Sequence, residues 1–72
     1  MPHVDINMYA GRDDETKKRL ADAIAETMIQ QLGCDPSHLS VAIYDREPEK
    51  WGEFAQTVNE ENVVFGKIFK AK

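Results

Sequence analysis

The chain has 72 residues and a single cysteine, and this combination limits what it can fold into alone. A domain of this size has one small core, which seldom supplies more than about 3–5 kcal/mol. Such domains usually gain further stability from disulfides, a bound metal or a partner chain. Cys34 has no partner for an internal disulfide, as is common in proteins of a reducing compartment. We therefore expect one domain, residues 1–72, that is stabilised by self-association.

Changes of hydrophobic period divide the chain into strand, helix and strand. Apolar and polar residues alternate over residues 3–9, which is the period of a half-buried strand. Over residues 14–32 the period becomes helical, and Gly33 is placed to end the helix. Alternation returns over residues 39–45, so we predict an α+β fold built on a right-handed β-α-β unit with parallel strands. The apolar stripe of the helix comprises Leu20, Ala21, Ile24, Ala25, Met28 and Leu32.

The remainder of the chain predicts short C-terminal elements. Residues 47–54 have the pattern of a short helix, with Pro48 suited to its first turn. The apolar residues 63–65 and 68–69 fit a hairpin, a helix or an arm that reaches a partner. A two-stranded sheet with one helix cannot cover both of its faces, and two such units side by side form a four-stranded sheet. Geometry therefore also favours a sheet extended by self-association.

Composition and motifs exclude several classes of protein. A net charge of −4 disfavours a nucleic-acid partner. No apolar run approaches the roughly 20 residues that cross a membrane, and the first residues lack the apolar core of a signal peptide. His3, Cys34 and His38 have no paired spacing, and the chain has no Gly-rich phosphate loop. We expect a cytoplasmic protein that uses neither a metal nor a cofactor.

Pro2 is the most informative residue for function. It follows Met1 and precedes the first strand, so removal of Met1 leaves a secondary amine at a fixed place in the sheet. An α-amino group ordinarily titrates at about 8, and a nearby cation or an apolar surround lowers that value. The nitrogen of Pro2 is therefore a candidate general base near neutral pH. Many prolines at this position have no special role, so the interpretation depends on the residues around it.

Several segments taken together resemble the 4-oxalocrotonate tautomerase family. They are residues 1–6, 11–18, 39–43 and 47–51, and the similarity ends near Ala55. The last of these segments resembles the short bacterial tautomerases that form dimers. The resemblance implies a β-α-β subunit, removal of Met1, and proton transfer next to a carbonyl group without a cofactor.

The resemblance also implies roles for individual residues. Pro2 matches the catalytic base of the family, Arg12 matches an arginine that contacts the substrate carboxylate, and Trp51 matches an aromatic position that walls the pocket. The family's best-studied members carry an arginine inside the second strand, where this chain has Ser40. Arg46, just past the predicted strand, is a candidate to supply that charge from a different direction.

Each of these roles has a structural alternative. Arg12 could be a surface residue beside Asp13 and Asp14, Arg46 a solvated loop cation, and Trp51 an ordinary core residue. For the whole chain we predict a keto–enol tautomerase, an isomerase that acts on a small anionic enol or 2-keto acid as a homodimer, with a hexamer as the alternative assembly. A noncatalytic dimeric binding module stays open, as does hydratase or dehalogenase chemistry at the same proline.

Overall fold

The computed structural model describes residues 1–70 and contains the predicted strand–helix–strand unit. Strand β1 spans His3–Tyr9, helix α1 spans Asp14–Leu32, and strand β2 spans Ser40–Arg46. The two strands are parallel and pair along their whole length. The α+β class, the parallel pairing and the bounds of β1 and α1 are confirmed. Residues 71 and 72 of the predicted domain lie outside the described residues.

Strand β2 begins one residue later than predicted and ends at Arg46. The prediction that Arg46 lies just past the strand is therefore wrong. The N–H of Ala10 donates to the carbonyl of Arg46 at 2.9 Å, which continues the ladder between the strands. Because side chains alternate along a strand, Arg46 lies on the same sheet face as Ser40.

Local chemistry fixes both ends of α1. Asp13 accepts a hydrogen bond from the N–H of Thr16 at 2.8 Å, and this bond lowers the pKa of Asp13. At the other end Gly33 has a φ of 66° and donates its N–H to the carbonyl of Ile29 at 2.9 Å. Glycine adopts this left-handed conformation without the strain that a side chain brings. The two caps explain why the helix bounds follow the sequence pattern.

Helix α1 packs on the sheet, but its burial is incomplete. The first five residues of the predicted stripe are half-buried, whereas Leu32 is 62% exposed at the end of the helix. The expectation that Leu32 joins the packed stripe is wrong. Within residues 1–70 the buried hydrophobic core consists of Trp51 and Ala55. A single copy thus leaves much apolar surface partly in contact with water.

After β2 the chain forms short turns and one short helix. A 3₁₀ turn at Pro48–Lys50 leads into helix α2 at Trp51–Ala55, and a further 3₁₀ turn spans Glu60–Asn62. Residues 63–70 form neither a hairpin nor a helix, so the tail has the character of an arm. The carbonyl of Phe69 in this arm accepts a hydrogen bond from the indole of Trp51 at 2.6 Å, so the arm folds back on its own chain.

Candidate active site

Most polar residues of the strands share one face of the sheet, and Asp45, which pairs with Lys17 of α1 at 2.8 Å, lies on the other. His3 pairs with Ser40 at the amino end of the two strands, and Tyr9 pairs with Arg46 at the carboxyl end. Since side chains alternate in both strands, these four residues lie on the same face. Pro2 adjoins the amino end of this face. The predicted site residues therefore lie at two opposite ends.

Pro2 is held in the sheet by its backbone. Its carbonyl accepts a hydrogen bond from the N–H of Ser40 at 3.3 Å. Pro2 itself is half-buried, and the preceding Met1 is 95% exposed. The ring nitrogen consequently lies at the amino edge of the sheet, beside the first residues of β2.

A chain of hydrogen-bonded side chains adjoins Pro2. The ring of His3 contacts the hydroxyl of Ser40 through Nδ1 at 2.6 Å and the carboxylate of Asp5 through Nε2 at 2.6 Å. The side chains of His3 and Asp5 are 50% and 49% exposed, so small molecules can reach them. The sequence pattern does place residues 3 and 5 on one face, but the contact with Ser40 depends on the strand register.

The carboxyl end of the strands holds an aromatic cluster. The ring of Trp51 lies 5.2 Å from that of Tyr9 in an edge-on arrangement and 5.0 Å from that of Phe54. Trp51 is 8% exposed. Within one chain it is a core residue that supports Tyr9 and Phe54 rather than the wall of an open pocket.

Arg46 is fixed against this cluster. Its Nε donates to the side-chain oxygen of Asn7 at 3.0 Å, and its guanidinium lies 4.7 Å from the ring centre of Phe54 and 5.6 Å from that of Tyr44. Arg46 is half-buried and, among the described residues, forms no ion pair. These contacts argue against a solvated loop cation. They leave the charge of Arg46 available for a substrate.

Arg12 lies at the same end and is exposed. Its Nη1 donates to the carbonyl of Tyr9 at 3.2 Å. The neighbouring aspartates are engaged elsewhere, because Asp13 caps α1 and Asp14 lies 3.8 Å from the ammonium of Lys17. Among the described residues Arg12 pairs with neither aspartate, and its exposure agrees with the alternative of a surface residue.

Two cavities open near the carboxyl end. One of about 450 Å³ is lined in part by Arg46, Lys50 and Phe54, although three carboxylates also border it. The larger, about 760 Å³, lies along α2 and the arm, and none of the predicted site residues lines it. Each cavity is bordered by three carboxylates, but the larger has one cation, Lys70, whereas the smaller has Arg46 and Lys50. The larger cavity therefore repels an anion more strongly. The smaller cavity is therefore the better match for an acidic substrate.

One chain does not bring all the predicted site residues together. Arg12, Arg46 and Trp51 share the carboxyl end, whereas Pro2 lies at the amino end. The seven residues of β1 separate these ends by about 23 Å at the usual rise per strand residue. Sequence reasoning missed Asn7, Tyr9 and Phe54 as the residues that hold Arg46 and Trp51 in place.

The described residues also bear on metal ions and membranes. Among residues 1–70 no cluster of three or more His, Cys, Asp and Glu side chains is arranged to hold a metal ion. None of the helices in this part of the chain combines the length and the apolar character needed to cross a bilayer.

Comparison with known proteins identifies the family. A family model described as tautomerase enzyme matches residues 2–53, from the candidate base to the first turn of α2. The chain belongs to the tautomerase family. Tautomerases are isomerases, so the family and the enzyme class predicted from the residues are confirmed.

Individual relatives show the extent of the similarity. The chain is 41% identical over 51 residues to a probable tautomerase of Xylella fastidiosa, a match that covers 71% of this chain and 62% of that relative. It is 30% identical over 61 residues to a probable tautomerase of Ralstonia nicotianae, with 85% and 94% covered. A 4-oxalocrotonate tautomerase isozyme of Methylibium petroleiphilum has a similar structure, with a TM-score of 0.67 at 27% identity over 71% of this chain and 82% of that chain. The match thus spans less than two thirds of the first relative and nearly all of the second.

Proposed function

We propose that this chain is a cofactor-independent keto–enol tautomerase for a small enol or 2-keto acid. Its general base is the nitrogen of Pro2, exposed when Met1 is removed. The observation that carries this proposal is the position of Pro2, which is fixed in the sheet by the 3.3 Å bond between its carbonyl and Ser40. Family membership supports the reaction class, and the net charge and the single cysteine favour a cytoplasmic enzyme without a nucleic-acid or membrane partner.

The reaction moves one proton between carbon and oxygen. In the ketone-to-enol direction the nitrogen of Pro2 takes a proton from the carbon next to the carbonyl, and the electrons of that C–H bond form the carbon–carbon double bond. The carbonyl oxygen gains the negative charge and then a proton. A fixed cation near that oxygen lowers the free energy of the enolate, and an arginine pairs well with the substrate carboxylate.

We propose that two copies of the chain share the working site. A two-fold axis beside a parallel strand pair sets the strands of the partner antiparallel to it, so the amino end of one pair meets the carboxyl end of the other. Pro2 then faces Arg12 and Arg46 of the partner subunit, with Trp51 of the partner subunit supporting the pocket. The incomplete burial of α1 and of the sheet in a single copy favours this homodimer; a hexamer would repeat the same pairing.

The test compares forms of the amino terminus. Intact mass of untagged protein should lack Met1, and this protein should convert the enol of phenylpyruvate to the ketone. Acetylation of Pro2 should abolish turnover because the amide nitrogen has no proton to give to carbon and cannot accept one in return. Pro2→Ala should keep part of the activity through its primary amine, and Pro48→Ala, at an exposed proline elsewhere, should match the wild type.

Contrary results identify the alternatives. Full turnover by acetylated, folded protein would exclude Pro2 as the base. Processed wild type that turns over no keto or enol acid would favour a binding module. Faster conversion of an unsaturated or halogenated acid than of phenylpyruvate would favour hydratase or dehalogenase chemistry.

A further inference from the structure

Hydrogen bonds link the side chains of Asp5, His3 and Ser40 in a row beside Pro2. Both of its contacts are 2.6 Å, shorter than the range of about 2.7–3.2 Å for ordinary N–H···O bonds. The backbone hydrogen bond from the N–H of Ser40 to the carbonyl of Pro2 places the two residues side by side at the amino end of the strands. All three side chains belong to exposed residues. These three side chains are thus accessible to a small molecule bound at Pro2.

The chemistry of the three groups fixes the direction of the hydrogen bonds. An ionised carboxylate only accepts, so Nε2 of His3 carries a proton towards Asp5. When the imidazole is neutral, Nδ1 accepts the hydroxyl proton of Ser40, and the hydroxyl oxygen can accept from an enol O–H. When the imidazole is charged, Nδ1 donates to Ser40, and the hydroxyl can donate to a carbonyl oxygen. Ser40 can therefore bind both tautomers of the substrate.

We propose that Asp5, His3 and Ser40 form a proton relay for the substrate oxygen, while Pro2 exchanges a proton with the substrate carbon. This assignment rests on the proposed tautomerase function and deepens it. Ser40 stands where the resembling family has an arginine in the second strand. An arginine stays protonated and can only stabilise charge, whereas a hydroxyl joined to an imidazole can pass a proton on.

In the enol-to-ketone direction every proton that leaves one group is taken up by another. The protonated nitrogen of Pro2 gives its proton to carbon, and a C–H bond forms. The enol O–H bond breaks, its proton goes to Oγ of Ser40, and the hydroxyl proton of Ser40 goes to Nδ1 of His3. The imidazolium is held by Asp5, and water carries a proton from it back to the nitrogen of Pro2. Nothing is oxidised, and the reverse direction uses the same steps.

The first experiment separates the relay from a structural role. Ser40→Ala and His3→Gln should each lower kcat for ketonisation of the phenylpyruvate enol by about 100-fold, which is typical of lost acid–base catalysis. KM should stay within about twofold, because the transition state loses more than the bound substrate does. Ser40→Thr keeps a hydroxyl in a strand and should restore turnover. Ser37→Ala removes another exposed hydroxyl that contacts a carboxylate, at 3.0 Å from Asp35, and should match the wild type.

A second measurement does not depend on turnover. The ¹⁵N spectrum of His3 should show a proton on Nε2, and oxalate, a stable mimic of a 2-keto acid enolate, should shift the Nδ1 signal in the wild type. Ser40→Ala should abolish that shift, with circular dichroism as the check on folding.

The outcomes distinguish the two proposals. Turnover unaffected by Ser40→Ala and His3→Gln would overturn the relay and leave the tautomerase proposal intact. A rise in KM at constant kcat would also overturn it, since Ser40 would then only bind substrate. A third outcome is a wild type that turns over no keto acid but whose His3 signal responds to oxalate through Ser40. This outcome would overturn the tautomerase function and support Asp5, His3 and Ser40 as the group that binds the substrate oxygen.

Discussion

At the amino end of the strand pair, hydrogen bonds join Pro2, His3 and Ser40. His3 and Ser40 are exposed there, and Pro2 is half-buried. At the carboxyl end, Trp51 and Arg46 are held by contacts with aromatic rings and lie wholly or half buried. The first set contains groups that can exchange protons. The second contains a cation in a fixed orientation and the largest buried side chain of the described core.

This difference matches two requirements of proton-transfer catalysis. Groups that gain and lose protons must reach both the substrate and water, so they tolerate exposure. A cation that stabilises an enolate is effective when its position is set beforehand, because it then needs no reorganisation during the reaction. Neither end meets both requirements alone, and this is what the proposed meeting of the two ends between subunits would supply.

Removal of the ring of Trp51 should have the largest effect, because this ring contacts both Tyr9 and Phe54 at the carboxyl end. Truncation of a buried aromatic residue to alanine typically costs about 3–5 kcal/mol of folding free energy. A single core in a domain of this size seldom supplies more than that amount. Trp51→Ala should therefore unfold the protein or abolish its cooperative denaturation, as followed by far-ultraviolet circular dichroism in urea.

The matched control is Trp51→Phe, which keeps ring contacts with Tyr9 and Phe54 but loses the hydrogen bond to the carbonyl of Phe69. It should cost about 1 kcal/mol, the net value of an ordinary hydrogen bond. If Trp51→Ala denatures like the wild type, Trp51 does not hold the carboxyl end together, and the contrast between the two ends fails.

Mixing of inactive variants should test whether the two ends meet between subunits. Protein with acetylated Pro2 and protein with Arg46→Ala should each be poorly active alone. Refolded together in equal amounts, they should recover about a quarter of wild-type activity, because half of the dimers are mixed and each mixed dimer has one intact site.

Two observations make the mixing result interpretable. Sedimentation should show no stable folded monomer, since the chain is short and its core small. Absence of any recovery after verified subunit exchange would mean that Pro2 and Arg46 act in the same subunit. Full activity of Arg46→Ala before mixing would mean that Arg46 takes no part.

Loss of the Arg12 guanidinium should have a smaller effect, confined to acidic substrates. Arg12→Ala should raise KM for a 2-keto acid by about tenfold, the value of one charge-assisted hydrogen bond, with kcat little changed. A ketone without a carboxylate should be affected much less, as steady-state kinetics on both substrates will show. Equal losses on both substrates would make Arg12 a structural residue through its 3.2 Å bond to the carbonyl of Tyr9.

The sequence predicts the elements whose ends are fixed by local chemistry. The bounds of α1 follow from Asp13 and Gly33, and β1 follows from alternation alone. The end of β2 is missed because the extension to Arg46 depends on a backbone bond from Ala10, which belongs to another segment. The course of the arm is missed for the same reason, since it rests on the contact between Trp51 and Phe69.

The residues of the candidate site also divide into those that the sequence predicts and those that depend on contacts between distant segments. The resemblance singles out Pro2 and Arg12 because they stand at recognisable points beside the first strand. The contact between His3 and Ser40 joins residues 37 positions apart, so it depends on strand register rather than on a local motif. Similarly, Arg46 becomes a fixed cation only through Asn7 and Phe54, which come from different elements.

The smallest expected effect concerns a cap at each end of the strand pair. Asp13 precedes α1 at the carboxyl end, and Asp35 precedes β2 at the amino end. Hydrogen bonds lower the pKa of Asp13, from Thr16, and of Asp35, from Ser37, below the ordinary value of 3.8. A lowered pKa in the folded state means that each carboxylate stabilises the fold fully above pH 3.8, and that this contribution is lost as the pH falls through the folded pKa.

Asp13→Ala and Asp35→Ala should therefore lower the thermal midpoint at neutral pH, and the gap to the wild type should close as the pH falls below 3.8 and through the folded pKa. Asp13→Ala should have the larger effect, because Asp13 caps a helix of 19 residues and Asp35 a turn of three. Asn keeps a capping oxygen without the charge, so Asp13→Asn should lie between the wild type and the alanine variant. Thermal denaturation at a series of pH values measures all four proteins. A gap for Asp13→Ala that persists unchanged at the lowest pH would show that the charge of Asp13 contributes nothing, and that the cap acts through shape or neutral hydrogen bonding alone.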